Sequence, residues 1–265
     1  MKIGFIGTGN MGSALAVAAA KAGEELLLCN RTMAKAEALA AQLNCKTATA
    51  QEICETCDYI FLGVKPQMMG DLLGSLAPTL KNRATPFTLV SMAAGLTMDT
   101  LQKMAGGNYP VIRMMPNTPV AVGSGVILFD ATDNVTAEAL QGFCDSMGKA
   151  GLLQQLPEKL IDAGSAVSGC GPAFVAMFIE AMADAGVSCG LPRDKALTLA
   201  ACTLSGTAEL LLRSGKHPGQ LKDEVCSPGG STIAGVKALE EGNFRATVIS
   251  AIHAAHHRTQ ELGKA

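Results

Sequence analysis

Lys2-Ile3-Gly4-Phe5-Ile6 is an apolar strand pattern that breaks into Gly7-Thr8-Gly9-Asn10-Met11-Gly12 and then into an alanine-rich helix pattern. A G-x-G-x-x-G run set between a strand and a helix constrains the chain to a βα turn that binds a dinucleotide. Gly7 permits the tight turn, Gly9 lets backbone approach a pyrophosphate, and Gly12 allows close packing of helix on strand. The amino terminus of the helix presents unpaired N–H groups to the anion, drawing in Thr8, Asn10 and Met11 as neighbours of the phosphates. A glycine turn kept for steric reasons alone is the bland alternative; the flanking strand and helix weigh against it.

Strand patterns recur at 2 to 6, 25 to 30, 58 to 64, 86 to 91, 110 to 114 and 125 to 129, several of them continuously apolar, with helical patterns between. Continuous apolar strands are expected where helices cover both faces of a sheet. Thr49-x-x-Glu52 has the form of a capping box, and Thr136 with Glu138 can open a further helix. The fold class is α/β: a Rossmann-type doubly wound sheet, residues 1-155, binding NAD(P), followed by an all-α domain, residues 156-265. In that second part Pro172 to Ala185, with Gly186 as its stop, and Asp194 to Arg213 are apolar on almost every side. About 110 residues cannot bury such helices within one copy, so a homodimer is expected, with a compact monomer around one central helix as the alternative.

The second strand, Glu25 to Cys29, ends in Asn30-Arg31-Thr32, where an NAD enzyme usually carries a carboxylate for the ribose 2′-hydroxyl. A guanidinium in place of that carboxylate suits a 2′-phosphate, so NADPH is expected over NADH, with Asn30 and Thr32 as neutral partners. Asn30 and Thr32 could instead cap the helix that starts near Met33.

A net charge of −2 with no Trp and two Tyr gives neither the field nor the stacking surface for nucleic acid. The start of the chain shows no positive leader or cleavage pattern, which suggests a cytoplasmic protein. Residues 163 to 179 carry no charge, but Ser165, Ser168, Gly169, Gly171 and Pro172 interrupt them, so they read as loop and buried helix and not as a membrane span. Nine scattered cysteines read as reduced apolar filler. Neither Cys54-x-x-Cys57 nor the group His253, His256 and His257 completes a ligand set, and no metal is expected.

Four loop segments carry the candidate chemistry. Gly63-Val64-Lys65-Pro66, Ser91-Met92-Ala93-Ala94-Gly95 and Arg113-Met114-Met115-Pro116-Asn117-Thr118-Pro119 follow strand ends, where ligands of open parallel sheets bind. Lys65, Ala93, Gly95 and Asn117 are thereby candidates for the cofactor, although proline-rich turns also follow strands for geometric reasons. The fourth, Val225-Cys226-Ser227-Pro228-Gly229-Gly230-Ser231-Thr232, opens a helix from Ile233 to Glu241, stopped by Gly242, and aims the N–H groups of Gly229 to Thr232 at one point suited to a small carboxylate. An ordinary helix start capped by Ser231 is the alternative.

Taken in chain order, the glycine fingerprint, Val64-Lys65-Pro66, Arg113 to Pro119, Ser168-Gly169-Cys170-Gly171-Pro172-Ala173-Phe174 and Asp223 to Thr232 resemble the pyrroline-5-carboxylate reductase family. The resemblance implies NAD(P)H-dependent reduction of 1-pyrroline-5-carboxylate to L-proline, a dimer with intertwined helical domains, and in many members a decamer of five dimers. It places the substrate carboxylate on the loop Ser227 to Thr232, through Ser227, Gly229, Gly230, Ser231 and Thr232, with Glu158 on the substrate side and the Thr232 hydroxyl on the ring nitrogen. Phe174 stands where the family commonly has tyrosine, Cys170 replaces a serine, Ala50 replaces an asparagine that touches cofactor, and Glu224 occupies a position that can be asparagine. Two other readings stay open: a 3-hydroxyacid dehydrogenase, opposed by the absence of lysine between Lys159 and Lys195, and a noncatalytic NADP-sensing dimer, which would have no use for the final loop.

Overall fold

The computed structural model describes residues 1–262. They divide into two compact units, Met1–Cys170 joined by the end of the last helix from Ala255, and Gly171–Ala254.

The first unit holds one eight-stranded sheet: β1 (Lys2–Ile6), β2 (Glu25–Cys29), β3 (Lys46–Thr47), β4 (Tyr59–Leu62), β5 (Thr88–Ser91), β6 (Val111–Pro116), β7 (Gly125–Ala131) and β8 (Gly151–Gln155). Their order is β3-β2-β1-β4-β5-β6-β7-β8. The chain reverses direction across the sheet at the β1/β4 junction, which is where a doubly wound fold binds its ligand. The connecting helices are α1 (Asn10–Lys21), α2 (Met33–Leu43), α3 (Ala50–Thr56), α4 (Met69–Asn82), α5 (Met98–Ala105), α6 (Ala137–Met147) and α7 (Glu158–Ser168).

Strand alternation sorts the core into two layers. Ile3, Phe5, Leu26, Leu28 and Phe61 face one way and pack with Leu15 of α1 and Phe143 of α6. Ile6, Leu27, Ile60 and Leu62 face the other and pack with Ile53 of α3, Leu73 of α4 and Leu101 of α5. A run of rings ties the first layer across strands, with Phe5 on Phe61 at 4.6 Å and Phe129 against Phe143 at 5.4 Å between centroids.

The capping box forms: the Thr49 hydroxyl accepts the Glu52 N–H at 3.2 Å, and the Glu52 carboxylate accepts the Thr49 N–H at 2.7 Å. Thr136 likewise caps α6 by accepting the Ala139 N–H at 3.2 Å. Several expectations are corrected. β3 and β8 were not anticipated, and β6 pairs antiparallel with β7. Only residues 117–124 separate that pair, with a 3-10 turn at Thr118–Val122, too short for the crossover a parallel pair requires. Arg113 to Pro116 lie inside β6, every one buried, and not in a loop.

In the second unit α8 (Gly171–Ser188) and α9 (Arg193–Ser214) form a hairpin, followed by α10 (Pro218–Val225), α11 (Ser231–Glu241) and α12 (Phe244–Leu262). Gly186 does not stop α8. It lies inside the helix because a Cβ there would sit 3.1 Å from the Ala196 Cβ, so it is a close-packing glycine, and the turn falls at Gly190, φ +97°. Within one chain these helices bury little: only Ala183 of α8 and Ala196 and Ala200 of α9 are fully covered. Met177 is 69% exposed and Leu212 84%. Two stretches, Glu158–Ser188 and Arg193–Ser214, are long and apolar enough to cross a membrane by length and composition. Helix α7, which the sequence reading grouped with the second domain, packs inside the first unit, where Ile161 meets Met115 and Leu128.

Candidate active site

Gly7 and Gly63, at two strand ends, and Gly12 of α1 meet backbone to backbone at the β1/β4 junction. Gly7 has φ +106°, a conformation that side chains resist, and a Cβ there would lie 2.5 Å from the Gly63 carbonyl oxygen. A Cβ on Gly63 would meet the Gly7 oxygen at 2.4 Å, and one on Gly12 would meet the same oxygen at 2.2 Å. Backbone bonds fix the arrangement, from the Gly7 N–H to the Cys29 carbonyl and from the Gly63 N–H to the Ile6 carbonyl, both at 2.8 Å.

Gly9 is different: nothing lies within 4 Å of the place its Cβ would take. It is the N-cap of α1, no side chain caps that helix, and no acidic residue occupies its first turn. Asn10 is exposed and Met11 half-buried. Thr8 is 5% exposed, and its Oγ1 is buried without a hydrogen-bond partner. Open space beside Gly9, free helix N–H groups and an unsatisfied hydroxyl are what a pyrophosphate would fill, so these residues fit a dinucleotide.

Asn30 donates to the Thr32 carbonyl at 3.2 Å, and Thr32 is the N-cap of α2 without a side-chain capping bond. The capping alternative for this pair therefore fails. Arg31 is exposed and makes no ion pair among the described residues, and the same is true of Lys65. Val64 is half-buried against the core, and Pro66 begins a 3-10 turn, Pro66–Met68, for which Lys65 is the N-cap. Ala93 is buried, its N–H donating to Ser91 Oγ at 3.3 Å, and Gly95 has φ +78°.

Two sequence-predicted residues are engaged elsewhere. Both polar ends of the Asn117 side chain are committed to protein: Nδ2 donates to the Ser168 carbonyl at 2.9 Å, and Oδ1 accepts the Val126 N–H at 2.8 Å. Glu158 accepts the Met98 N–H at 2.8 Å and Arg113 at 3.4 Å through one oxygen, beside a cleft of about 490 Å³ that Asp130 and Thr132 also line. Arg113, 3% exposed, also donates to Asp162 at 2.7 Å. No sequence reading gave Arg113 a role of its own; the available signal was a lone cation in an otherwise apolar strand.

In the second unit the Gly230 N–H donates to the Ser227 carbonyl at 3.0 Å, closing a turn with Pro228 and then Gly229 at φ +69°. Proline followed by a glycine of positive φ is the type II pattern. A Cβ on Gly230 would strike Ser227 Oγ at 2.4 Å. Gly230 is the N-cap of α11 without a side-chain capping bond, which removes Ser231 as a cap. The expectation that Gly230 adds its N–H to an anion site is also corrected, since the turn uses it. Helix geometry leaves the N–H groups of Ser231 and Thr232 without intrahelical partners, and both residues are exposed.

The buried thiols are unsuited to redox chemistry. Burial pushes Cys54 up to about 12 and raises Cys57 as well. Among the described residues no three His, Cys, Asp or Glu side chains are placed to hold a metal ion.

A doubly wound sheet with a glycine cradle at its switch point, followed by unpartnered apolar helices, defines an NAD(P)H-dependent oxidoreductase that assembles from more than one copy. Residues 158–262 match the family model for pyrroline-5-carboxylate reductase dimerisation, and residues 2–95 match that for NADP oxidoreductase, coenzyme F420-dependent. A pyrroline-5-carboxylate reductase of Glycine max is 40% identical over 98% of this chain and 95% of its own length. One of Escherichia coli K12 is 39% identical over 99% and 98%. The crystal structure of the Plasmodium falciparum enzyme with NADP bound superposes with TM-score 0.86 at 33% identity, covering 99% of both chains. The chain belongs to the pyrroline-5-carboxylate reductase family.

Proposed function

We propose that this chain reduces 1-pyrroline-5-carboxylate to L-proline, the last step of proline biosynthesis, in the cytoplasm, as a homodimer that can assemble into a decamer of five dimers. The observation that carries the reading is the pairing, in one chain, of the Gly7–Gly12–Gly63 cradle with the Ser227–Thr232 turn at the start of α11.

The cofactor residues are Gly7, Thr8, Gly9, Asn10, Met11 and Gly12 for the pyrophosphate, Asn30, Arg31 and Thr32 for the adenosine ribose, and Gly63, Val64, Lys65, Pro66, Ala93 and Gly95 along the remaining strand ends. Arg31 favours NADPH: among the described residues it has no carboxylate partner to neutralise it, and its planar donors match a 2′-phosphate. When bound, the reduced nicotinamide supplies hydride to the imine carbon.

All the substrate residues except Glu158 belong to the second unit. The unpaired N–H groups of Ser231 and Thr232, with the positive end of the α11 dipole, hold the carboxylate, while Ser227, Gly229 and Gly230 shape the turn. The Thr232 hydroxyl accepts from the protonated ring nitrogen and orients it. An alcohol is a poor acid, so most of the acceleration comes from holding the imine in attack geometry. Glu158 enters this reading only through the carboxylate oxygen that Arg113 and Met98 leave free.

Thr232→Ala tests the assignment. Turnover of the imine should fall at least tenfold with NADPH affinity unchanged, and a variant that turns over like the parent would refute the role.

A further inference from the structure

Helix α7 is fastened at both ends to β6 and the residue that follows it. At its start, Arg113 reaches Glu158 at 3.4 Å and Asp162 at 2.7 Å, while Asp130, the register partner of Arg113 on β7, accepts the Glu158 N–H at 2.6 Å. At its end, Asn117 holds the Ser168 carbonyl at 2.9 Å. Four residues of extended chain from Arg113 to Asn117 span about 13 Å. Glu158 to Ser168 spans about 15 Å of helix. The two fastenings are thus matched in length to the helix they grip. Between them α7 packs closely on β7: a Cβ on Gly164 would come within 2.6 Å of the Leu128 side chain.

A buried ion pair costs desolvation that an apolar side chain would avoid, so it is weak as a stabiliser and better suited to fixing one arrangement over others. Arg113 carries this further, because its Nε is buried with no acceptor at all. α7 ends at Ser168, and α8 begins at Gly171. The fastenings therefore fix both ends of α7 on the sheet unit, Glu158 at its start and Ser168 at its end.

We propose that Arg113 and Asn117 are positioning residues: they hold α7, and with it the Glu158 carboxylate at its start, in one arrangement on the sheet unit, without touching cofactor or substrate. The inference rests on the reading that Glu158 lies on the substrate side. It also moves Asn117 out of the cofactor set. Displacements of about 1 Å remote from reacting atoms can lower a rate a hundredfold.

Two variants separate the possibilities. Asn117→Asp keeps an acceptor for the Val126 N–H but sets a carboxylate oxygen against the Ser168 carbonyl. Asp162→Asn removes one charge at a half-exposed site with no change of shape, so folding is preserved. Each should lower kcat for the imine at least tenfold at saturating NADPH, leave NADPH affinity within twofold, and speed hydrogen exchange of the α7 amides at least tenfold while those of α1 are unchanged. Tenfold weaker NADPH binding by Asn117→Asp with kcat retained would overturn the proposal and return Asn117 to the cofactor. Unaltered α7 exchange in both variants would overturn it whatever the activity, whereas a parent enzyme inactive on the imine would count against the reaction assignment alone.

Discussion

Gly9→Ala and Gly12→Ala differ by one methyl at positions three residues apart and should behave in opposite ways. The Gly12 Cβ would sit 2.2 Å from the Gly7 oxygen, so α1 or the Gly7 turn must move by roughly 1 Å to reach an ordinary contact. Overpacking of that kind costs about 1–3 kcal/mol. Alanine recovers about 1 kcal/mol over glycine within a helix, leaving a net loss of up to about 2 kcal/mol. For a unit of this size that lowers Tm by up to about 8 °C. The Gly9 Cβ meets nothing, and the backbone there, φ −71°, accepts any residue. Its stability should stay within about 1 kcal/mol of the parent, a modest N-cap effect. That methyl does, however, occupy the space proposed for the pyrophosphate, and should raise the NADPH dissociation constant at least about tenfold, or about 1.4 kcal/mol. Thermal unfolding without cofactor and fluorescence titration with NADPH measure the two quantities. Parent-like NADPH binding by Gly9→Ala, or a larger loss of stability in Gly9→Ala than in Gly12→Ala, would refute the assignment of these glycines.

Three further outcomes are expected. Arg31→Ala should weaken NADPH about tenfold to a hundredfold, the range for a hydrogen bond to a charged group, and leave NADH unchanged; equal losses for both would remove the 2′-phosphate role. Leu212→Asp places a charge on a side chain that is 84% exposed in one chain, and sedimentation should show a smaller assembly; an unchanged mass would exclude that face from the interface. Burial raises Cys54 from 9.0 to about 12 and Tyr59 from 10.0 to about 12, so the folded state keeps protons that the unfolded state releases. Stability from these groups is complete below about pH 9 and declines toward pH 12, at up to about 1.4 kcal/mol per pH unit for each group titrating; denaturant midpoints flat from pH 8 to 11 would contradict this.

What the sequence disclosed follows from the range of the forces involved. The Gly7 turn, the Thr49 capping box and the switch-point loop at Gly63 are local or periodic, and each was legible. β3 is two residues long and β8, Gly151–Gln155, is half exposed, so neither shows the apolar run that marks a covered strand. Gly186 looked like a helix stop because glycine ends helices when considered alone, whereas its reason is Ala196 on the next helix. Asn117 and Arg113 looked like rim residues of a ligand crevice. Their partners, Ser168, Glu158 and Asp162, lie 51, 45 and 49 residues away, and no local pattern signals a bond over that span. The unpartnered faces of α8 and α9 had a compositional signal, and the comparison with known families gives them their reason as a dimerisation region.

The central claim is that this chain carries hydride from a nicotinamide to the imine carbon of 1-pyrroline-5-carboxylate. NADPH deuterated at the transferring C4 position, incubated with the enzyme and the imine, should yield proline carrying one deuterium at C5, with one cofactor oxidised per proline formed. Proline without the label, or no proline while the cofactor remains bound and reduced, would contradict it.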